Sequence, residues 1–211
     1  DFPPPGTVVT WRVLAEEQGQ TFEFESTSTF HSANDTTSFV TSHQEMSIAG
    51  FTTTTDSEVT EFYRILDNPQ GHMEVDRIDT SIETTVLGIT TSEDITVEMS
   101  PGQYVGPARR VCDGETLTTP AVTATTTSSS LGTSSAPTES HDGSIEDIDD
   151  VVTVEAGTFT CVVRKTTATS GDETGWSMWT WVDRETGVMV KSEFYDPAMT
   201  LRGSFELIDL D

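Results

Sequence analysis

The sequence has little positive charge and no cluster of it. Ten of its 211 residues are Lys or Arg, against 36 Asp or Glu, so the formal net charge is −26. The adjacent basic pairs are Arg109-Arg110 and Arg164-Lys165 alone. Because nucleic-acid binding needs clustered cations that neutralise phosphates, we expect no nucleic acid as a partner. Anionic lipid surfaces would repel the chain for the same reason.

Long hydrophobic runs are also missing. No apolar stretch approaches the roughly 20 residues that a membrane-spanning helix needs, so we expect a soluble chain with no membrane insertion. Hydrophobic residues still make up 34% of the sequence, and ten Phe, four Trp and three Tyr supply aromatic bulk for a packed core. The composition therefore predicts a folded protein rather than a disordered acidic tail.

Cysteine occurs twice, at Cys112 and Cys161. An even count in an exported chain usually indicates a disulfide, and a bridge closing a loop of about 50 residues stabilises a fold by roughly 4 kcal/mol. We expect a Cys112–Cys161 disulfide, with two buried thiols as the alternative. Neither cysteine has a CxxC partner or a neighbouring histidine, so redox and zinc chemistry are not expected.

Catalytic motifs are absent as well. The sequence has no G-x-S-x-G nucleophile elbow, and Asp79-Thr80-Ser81 lacks the glycine and the second copy that an aspartic-protease site needs. The four histidines lack an acid or nucleophile at motif spacing, and no two of them have metal-binding spacing: His31, His43, His72 and His141. We therefore predict a protein that is not an enzyme.

The N-terminus and the residue usage indicate export. The chain starts at Asp1 without a methionine, and prolines follow at positions 3 to 5, which is typical of a mature end left after signal-peptide removal. Threonine occurs 38 times and lysine twice. Such an anionic, Thr-rich surface stays hydrated in salty surroundings or outside the cell. We expect an extracellular location, or one in the periplasm or cell envelope.

Alternation with a period of two dominates the pattern of the chain. Phe22 and Phe24 share one face, for example, while Glu23 and Glu25 share the other. This pattern predicts an all-β fold, namely one strongly curved antiparallel sheet or barrel-like sandwich of about ten to twelve strands, with few or no helices. We expect a single β domain over residues 1–211.

Two short runs differ from this pattern. Ser144-Ile145-Glu146-Asp147 resembles a helix capping box, and Ser92-Glu93-Asp94 could start another helical turn. A Ser/Thr-rich, low-complexity segment covers residues 115–140. Its composition is typical of a flexible linker that is open to O-glycosylation. We expect a sheet edge or a neighbouring subunit to hold this segment.

The clearest hairpin lies near the C-terminus and is rich in tryptophan. Alternation places Trp179 and Trp181 on one face of its first strand, and both faces carry bulky side chains. These rings are core residues, a pocket lining, an interface or a stacking surface for sugars. The candidate ligand-binding or interface aromatics are Trp176, Trp179, Trp181 and Phe194.

A run of acids between residues 142 and 150 is the only candidate cation site. Carboxylate oxygens in a turn can hold a structural Ca²⁺, although this run does not match the EF-hand pattern. A solvated charge run is the alternative. The residues are Asp142, Glu146, Asp147, Asp149 and Asp150. No other cofactor is expected.

Three segments carry a resemblance to a known class of proteins. They are Pro5–Trp11, Val154–Cys161 with its Ala-Gly-Thr-Phe run, and Thr186–Glu193, which follows a Trp-rich strand. This order resembles uncharacterised exported bacterial β proteins in which an AGTF strand precedes a W…GxxxKxE hairpin. Those proteins are similar in fold to periplasmic lipoprotein-localisation carriers. The resemblance implies a curved sheet around an apolar cavity, although the sequence lacks the helices that plug the sheet in the carriers.

These observations leave three functional hypotheses. The leading one is a non-catalytic, exported, acidic β protein that acts by protein–protein contact or self-assembly, as a subunit of an extracellular or cell-envelope assembly. The second is a periplasmic carrier with an apolar ligand in a cavity lined by Trp179, Trp181 and Phe194. The third is a glycan-binding module.

Overall fold

The protein is built from β-strands throughout the part of the chain that the structure describes. That structure, a computed structural model, describes residues 3–17, 20–33, 37–48, 51–65, 72–107 and 114–211. Within these ranges no helix is long and apolar enough to cross a membrane. The strands are β1 (Val8–Glu17), β2 (Gln20–Ala33), β3 (Thr37–Ile48), β4 (Phe51–Ile65), β5 (His72–Val86), β6 (Ile89–Pro107), β7 (Thr116–Thr119), β8 (Thr123–Ser128), β9 (Gly132–Pro137), β10 (His141–Val154), β11 (Gly157–Ala168), β12 (Ser177–Asp183), β13 (Met189–Tyr195) and β14 (Leu201–Leu210).

All fourteen strands belong to one antiparallel sheet. Its order is β7-β10-β11-β12-β13-β14-β1-β2-β3-β4-β5-β6-β8-β9. Two meanders, β1–β6 and β10–β14, are joined where β1 pairs with β14. The all-β, antiparallel prediction is confirmed, with two more strands than the upper limit of the expected range.

The sheet curls until its two ends approach each other. β7 is the first strand in the sheet order and β8 is the second from last, yet only residues 120–122 separate them in the chain. A connection of this length spans at most about 14 Å. Next to it, the backbone N–H of Thr138 donates to the carbonyl of Val122 at 2.7 Å. The sheet is therefore barrel-like, as the sequence predicted.

The apolar core lies where the two meanders meet. Val9, Trp11, Val188 and Leu207 form its buried centre, with further half-buried aromatic rings packed against it. The indole N–H of Trp11 donates to the carbonyl of Met189 at 2.8 Å, so this buried polar group has a partner. We call the face of the sheet that carries Val9, Trp11 and Leu207 the inner face, and the opposite face the outer face.

The inner face changes character along the sheet. On β2 and β3 the buried positions are Ser26, Ser28 and Ser38 rather than aliphatic residues. The hydroxyls of Ser28 and Ser42 lie 2.7 Å apart and hydrogen-bond across the two strands. We call β1 with β10–β14 the packed half of the sheet, and β2–β6 the hydroxyl half.

Both predicted helical turns are wrong. The Ser144–Asp147 run lies inside β10, where Ser144 pairs with Thr116 of β7 and with Lys165 of β11. The Ser92–Asp94 run lies inside β6 and pairs with β5. A capping box offers a helix a few local hydrogen bonds, whereas a strand partner satisfies the backbone groups along the run.

The Ser/Thr-rich segment forms three strands instead of a loose linker. β7 pairs with β10 at one end of the sheet, and the β8–β9 hairpin pairs with β6 at the other end. Threonine suits a pleated surface because its branched Cβ favours extended backbone. A sheet edge within the chain therefore holds this segment, which is one of the two expected alternatives.

Candidate functional site

The β8–β9 hairpin forms an uncharged, exposed sheet edge. Among the strands of the described residues, β9 is the last in the sheet and pairs with β8 alone, and all six of its residues are exposed. No charged residue occurs between positions 116 and 138. Leu131 at the tip is 88% exposed. Gly132 follows it with φ of 80°, a left-handed conformation that favours glycine.

Hydroxyl contacts hold this edge hairpin in place. Across the hairpin, the hydroxyls of Thr125 and Ser135 lie 2.9 Å apart. At its turn, the hydroxyls of Ser128 and Ser130 both donate to the carboxylate of Glu93 on β6. These two hydrogen bonds hold the pKa of Glu93 below its ordinary value. The hairpin is therefore fixed against the sheet while its outer edge stays open.

A second feature lies on the outer face of β12. Thr180 pairs with Ser192, which pairs with Phe205 beside the inner core, so Thr180 points inward. Trp179 and Trp181 flank Thr180 in the strand and therefore lie on the outer face. Their ring centroids are 6.3 Å apart and the rings are nearly parallel. The predicted common face of the two tryptophans is confirmed by this register.

Both lysines of the chain lie against these two rings. Lys165 Nζ is 5.3 Å from the centroid of Trp179, and Lys191 Nζ is 5.0 Å from that of Trp181. Such cation–π contacts orient an ammonium group on a ring. The indole N–H of Trp181 donates to Asp150 Oδ2 at 2.9 Å and is thereby fixed. We call Lys165, Trp179, Trp181 and Lys191 the tryptophan platform.

The two lysines of the platform differ in their charge partners. Lys191 forms an ion pair with Glu193 at 2.7 Å, and the hydroxyl of Tyr195 also donates to Glu193. Burial opposes ionisation of Glu193, but the hydrogen bonds from Lys191 and Tyr195 prevail and lower its pKa. Lys165 has no ion pair among the described residues.

The other two candidate aromatics lie away from the platform. Trp176 precedes β12 and is 37% exposed. Phe194 pairs with Met178 across the hairpin and points to the inner face, where its ring centroid is 6.0 Å from that of Phe205. Trp179, Trp181 and Phe194 therefore do not line one cavity, because the sheet itself lies between the tryptophans and the phenylalanine.

The acidic run is extended rather than folded into a turn. All five of its carboxylates lie on β10, and within the described chain no three acids, histidines or cysteines form a group that could hold a metal ion. Their carboxylates contact separate partners instead. Asp142 accepts from Thr118, Glu146 from Ser144, Asp147 from the backbone of Asp149, Asp149 from Arg184, and Asp150 from Trp181. The suggested calcium site stays a prediction that this arrangement does not support.

The structure corrects the disulfide prediction. Cys161 is a free thiol, fully buried on β11, and Cys112 lies outside the described residues. Burial raises the pKa of Cys161 to about 11, and the nearby carboxylates of Asp183 and Asp150 contribute to the shift. The cysteine count gave no spatial information about this site, where the thiol packs as a small apolar side chain.

A groove on the outer face of the hydroxyl half was not apparent from the sequence. It measures about 490 Å³, is open to solvent and crosses β2–β5. His43 and Asp56 lie in it, with Nδ1 and Oδ1 2.6 Å apart, beside Glu58 and Glu83. Only the register of four strands brings these residues together. The groove is polar and anionic, so it does not suit an apolar ligand.

Comparisons with known proteins show the fold of the chain. No family model matches it, and no curated protein does. A "beta-barrel-like protein" from Brucella abortus, which has a domain of unknown function, is 9% identical with a TM-score of 0.51, over 97% of this chain and 96% of that chain. The shared fold is barrel-like.

Two further solved structures are less similar. A "putative exported protein with YmcC-like fold" from Bacteroides fragilis is 10% identical, with a TM-score of 0.48 over 100% of this chain and 98% of that chain. A "putative lipoprotein" from Parabacteroides distasonis is 15% identical, with a TM-score of 0.44 over 100% and 97%. The AGTF strand and hairpin motif stay a prediction, because none of these comparisons is a match of motifs.

Proposed function

We propose that this chain is a non-catalytic, exported β protein that acts by contact with other protein subunits in an extracellular or cell-envelope assembly. The observation that carries the proposal is the exposed edge of β9. Unpaired N–H and C=O groups at such an edge can accept a strand from another chain.

The edge lacks the protection that sheet edges usually have. Proteins block edge strands with lysines, inward charges, bulges or proline, because an open edge invites pairing. β9 has no charge, its register with β8 is regular, and its one proline, Pro137, is its last residue. An unprotected edge in a chain with 46 charged residues indicates that pairing there is used rather than avoided.

Charge also favours this edge as the place of contact. Two molecules of net charge −26 repel each other over most of their surfaces. The uncharged segment between positions 116 and 138 is where two copies approach with the least repulsion. Antiparallel pairing of β9 with β9 of a second copy gives a twofold interface, so a second copy is the simplest partner.

Sedimentation of the full chain in molar salt tests this proposal. We expect a concentration-dependent dimer, which Ser134→Glu/Ala136→Glu abolishes because like charges then face each other across the paired edges. The control variant Ser81→Glu/Ser92→Glu adds the same charge at exposed positions of β5 and β6, away from β9. The control should dimerise like the wild type.

Two results would count against the proposal. If the wild type stays monomeric at every concentration and salt level, the self-assembly on which the proposal depends does not occur. Equal loss of the dimer in both double variants shows that added charge, rather than the β9 edge, controls association. Either result would leave the glycan-binding hypothesis in its place.

A further inference from the structure

We propose that the tryptophan platform binds an acidic saccharide, with a sugar ring lying on the tryptophans and its carboxylate paired with Lys165. The site is on the outer face of β11–β13 and shares no residue with the β9 edge. It is therefore independent of the proposed subunit contact.

The positive charge of Lys165 is the first support for this site. The other described cations with ion pairs each contact a carboxylate: Arg12 with Glu155, Arg64 with Glu74, Arg77 with Asp79, Arg184 with Asp149, Lys191 with Glu193, and Arg202 with Asp196. Lys165 instead contacts the ring of Trp179 and, within the described chain, no carboxylate. In a chain with 36 carboxylates, this arrangement leaves one ammonium group ready for an external anion.

The neighbouring acids do not neutralise Lys165. Asp150 accepts the indole N–H of Trp181, and Glu193 is held by Lys191 and Tyr195. These contacts fix the two carboxylates in place beside the platform. Neither carboxylate forms an ion pair with Lys165, so its ammonium group can still pair with an incoming carboxylate.

The rings supply the second half of the site. Trp179 and Trp181 are nearly parallel, with ring centroids 6.3 Å apart, and both are half-buried on the outer face, so each keeps part of its ring accessible to a ligand. The apolar C–H faces of a sugar ring pack on aromatic rings, and Trp provides the largest such surface. A sugar acid combines both requirements, since its carboxylate is attached next to the ring that stacks.

Net charge limits the size of the ligand. A long polyanion would meet repulsion from carboxylates far beyond the platform. A short acidic oligosaccharide contacts only the platform, and molar salt screens the remaining repulsion to within about 3 Å. We therefore assign the site to short acidic sugars in saline surroundings.

Calorimetric titration of the full chain in molar NaCl tests the assignment. The probes are a trimer of galacturonic acid and a trimer of galactose, which differ in their carboxylates. We expect the acidic trimer to bind about tenfold more tightly, the effect of one charged hydrogen bond. Lys165→Gln should reduce its affinity to that of the neutral trimer, and Lys165→Arg should retain the preference.

Variants of the rings separate stacking from charge. Trp179→Ala should remove binding of both trimers. Trp179→Phe keeps a ring and serves as the second variant in case Trp179→Ala does not fold. It should weaken the binding of both trimers by a similar factor. Trp176→Ala is the matched control, since Trp176 lies outside the platform, and it should bind like the wild type.

Three outcomes would overturn the assignment. They are no binding of either trimer to the wild type, equal affinities for the two trimers, and binding that Trp179→Ala and Trp179→Phe leave unchanged. Loss of dimerisation in Trp179→Ala without any saccharide binding would show instead that the platform is a protein interface. The three saccharide outcomes do not depend on the β9 edge, so the subunit-contact proposal is tested separately.

Discussion

The two halves of the sheet are stabilised in different ways. In the packed half, Val9, Trp11, Val188 and Leu207 exclude water from a common core. In the hydroxyl half, the buried inner-face positions of β2 and β3 are serines, and hydroxyl pairs such as Ser28–Ser42 connect neighbouring strands. Continuous strand pairing therefore joins the packed half, which has an apolar core, to the hydroxyl half, which buries few apolar side chains.

This difference predicts where stability resides. Burial of apolar area stabilises a fold by about 25 cal/mol per Å². Replacing a hydrogen bond to water by one within the protein stabilises it by only about 1 kcal/mol net. We infer that the packed half carries most of the free energy of unfolding, while the hydroxyl half depends on pairing with it through β1 and β2. The tryptophan platform lies in the packed half, whereas the β8–β9 hairpin is attached to β6 of the hydroxyl half.

The largest expected effect compares truncations in the two halves. Leu207→Ala opens a cavity in the buried core and should lower the free energy of unfolding by about 3 to 5 kcal/mol. Ile82→Ala on the half-buried inner side of β5 should lower it by about 1 to 2 kcal/mol. Urea unfolding in fixed molar salt measures both. Equal losses would show that the hydroxyl half is packed as tightly as the other.

Salt should change stability mainly through the hydroxyl half. Its strands contain two arginines, Arg64 and Arg77, among many carboxylates, so screening relieves strong repulsion there. We expect the melting temperature to rise by roughly 5 to 10 °C between about 0.1 M and 2 M NaCl.

A charge variant isolates the source of that salt effect. Glu45, Glu58 and Glu83 are exposed on β3, β4 and β5. Replacing all three by glutamine should raise the melting temperature in dilute buffer and reduce its dependence on salt, while the charge-preserving replacement by aspartate should do neither. A melting temperature that is unaffected by salt in the wild type would contradict the electrostatic explanation.

The fold class could be predicted from sequence because alternation is a local signal. The period of two places Trp179 and Trp181 on one face whichever strands flank them. Strand partners are not local, so the sequence did not show that β7 and β11 pair with β10 and convert the apparent capping box at Ser144–Asp147 into strand. Local motifs of four residues are weak evidence against pairing along a whole strand.

The candidate sites depend on which residues pair between neighbouring strands, and the sequence does not show this pairing. Lys165 meets Trp179 only because β11 and β12 pair in the observed register. The edge position of β9 follows from the crossing of the chain from β7 to β8, for which composition gives no signal. The cysteine count likewise could not show that Cys161 would be a buried free thiol.

A smaller effect is expected at the turn between β13 and β14. The backbone N–H groups of Thr200 and Ala198 donate to the carboxylate of Asp196, and the guanidinium of Arg202 pairs with it at 2.8 Å. The hydrogen bond from Thr200, together with that from Arg202, holds the pKa of Asp196 below its ordinary value. The ionised carboxylate of Asp196 therefore stabilises the fold fully above the pKa that it has in the unfolded chain. This stabilisation is lost as the pH falls through its lower pKa in the folded protein.

Thermal melts as a function of pH test this contribution. Asp196→Asn should lower the melting temperature by a few degrees at pH 7, and the difference from the wild type should shrink below about pH 4. Asp209→Asn, at an exposed strand position, is the matched control and should change little. A difference that stays constant from pH 7 to pH 2 would mean that the ionised carboxylate is not what stabilises the turn.

The smallest effect addresses the hydroxyl half directly. Ser28→Ala removes one member of the buried pair and leaves the hydroxyl of Ser42 without its 2.7 Å partner, so it should lower the free energy of unfolding by about 1 kcal/mol. The double variant Ser28→Ala/Ser42→Ala removes both polar groups and should be less destabilised than the sum of the two single variants. A double-mutant cycle by urea unfolding measures this coupling. If the losses of the two single variants add up to that of the double variant, water satisfies these hydroxyls and the backbone hydrogen bonds alone hold the hydroxyl half.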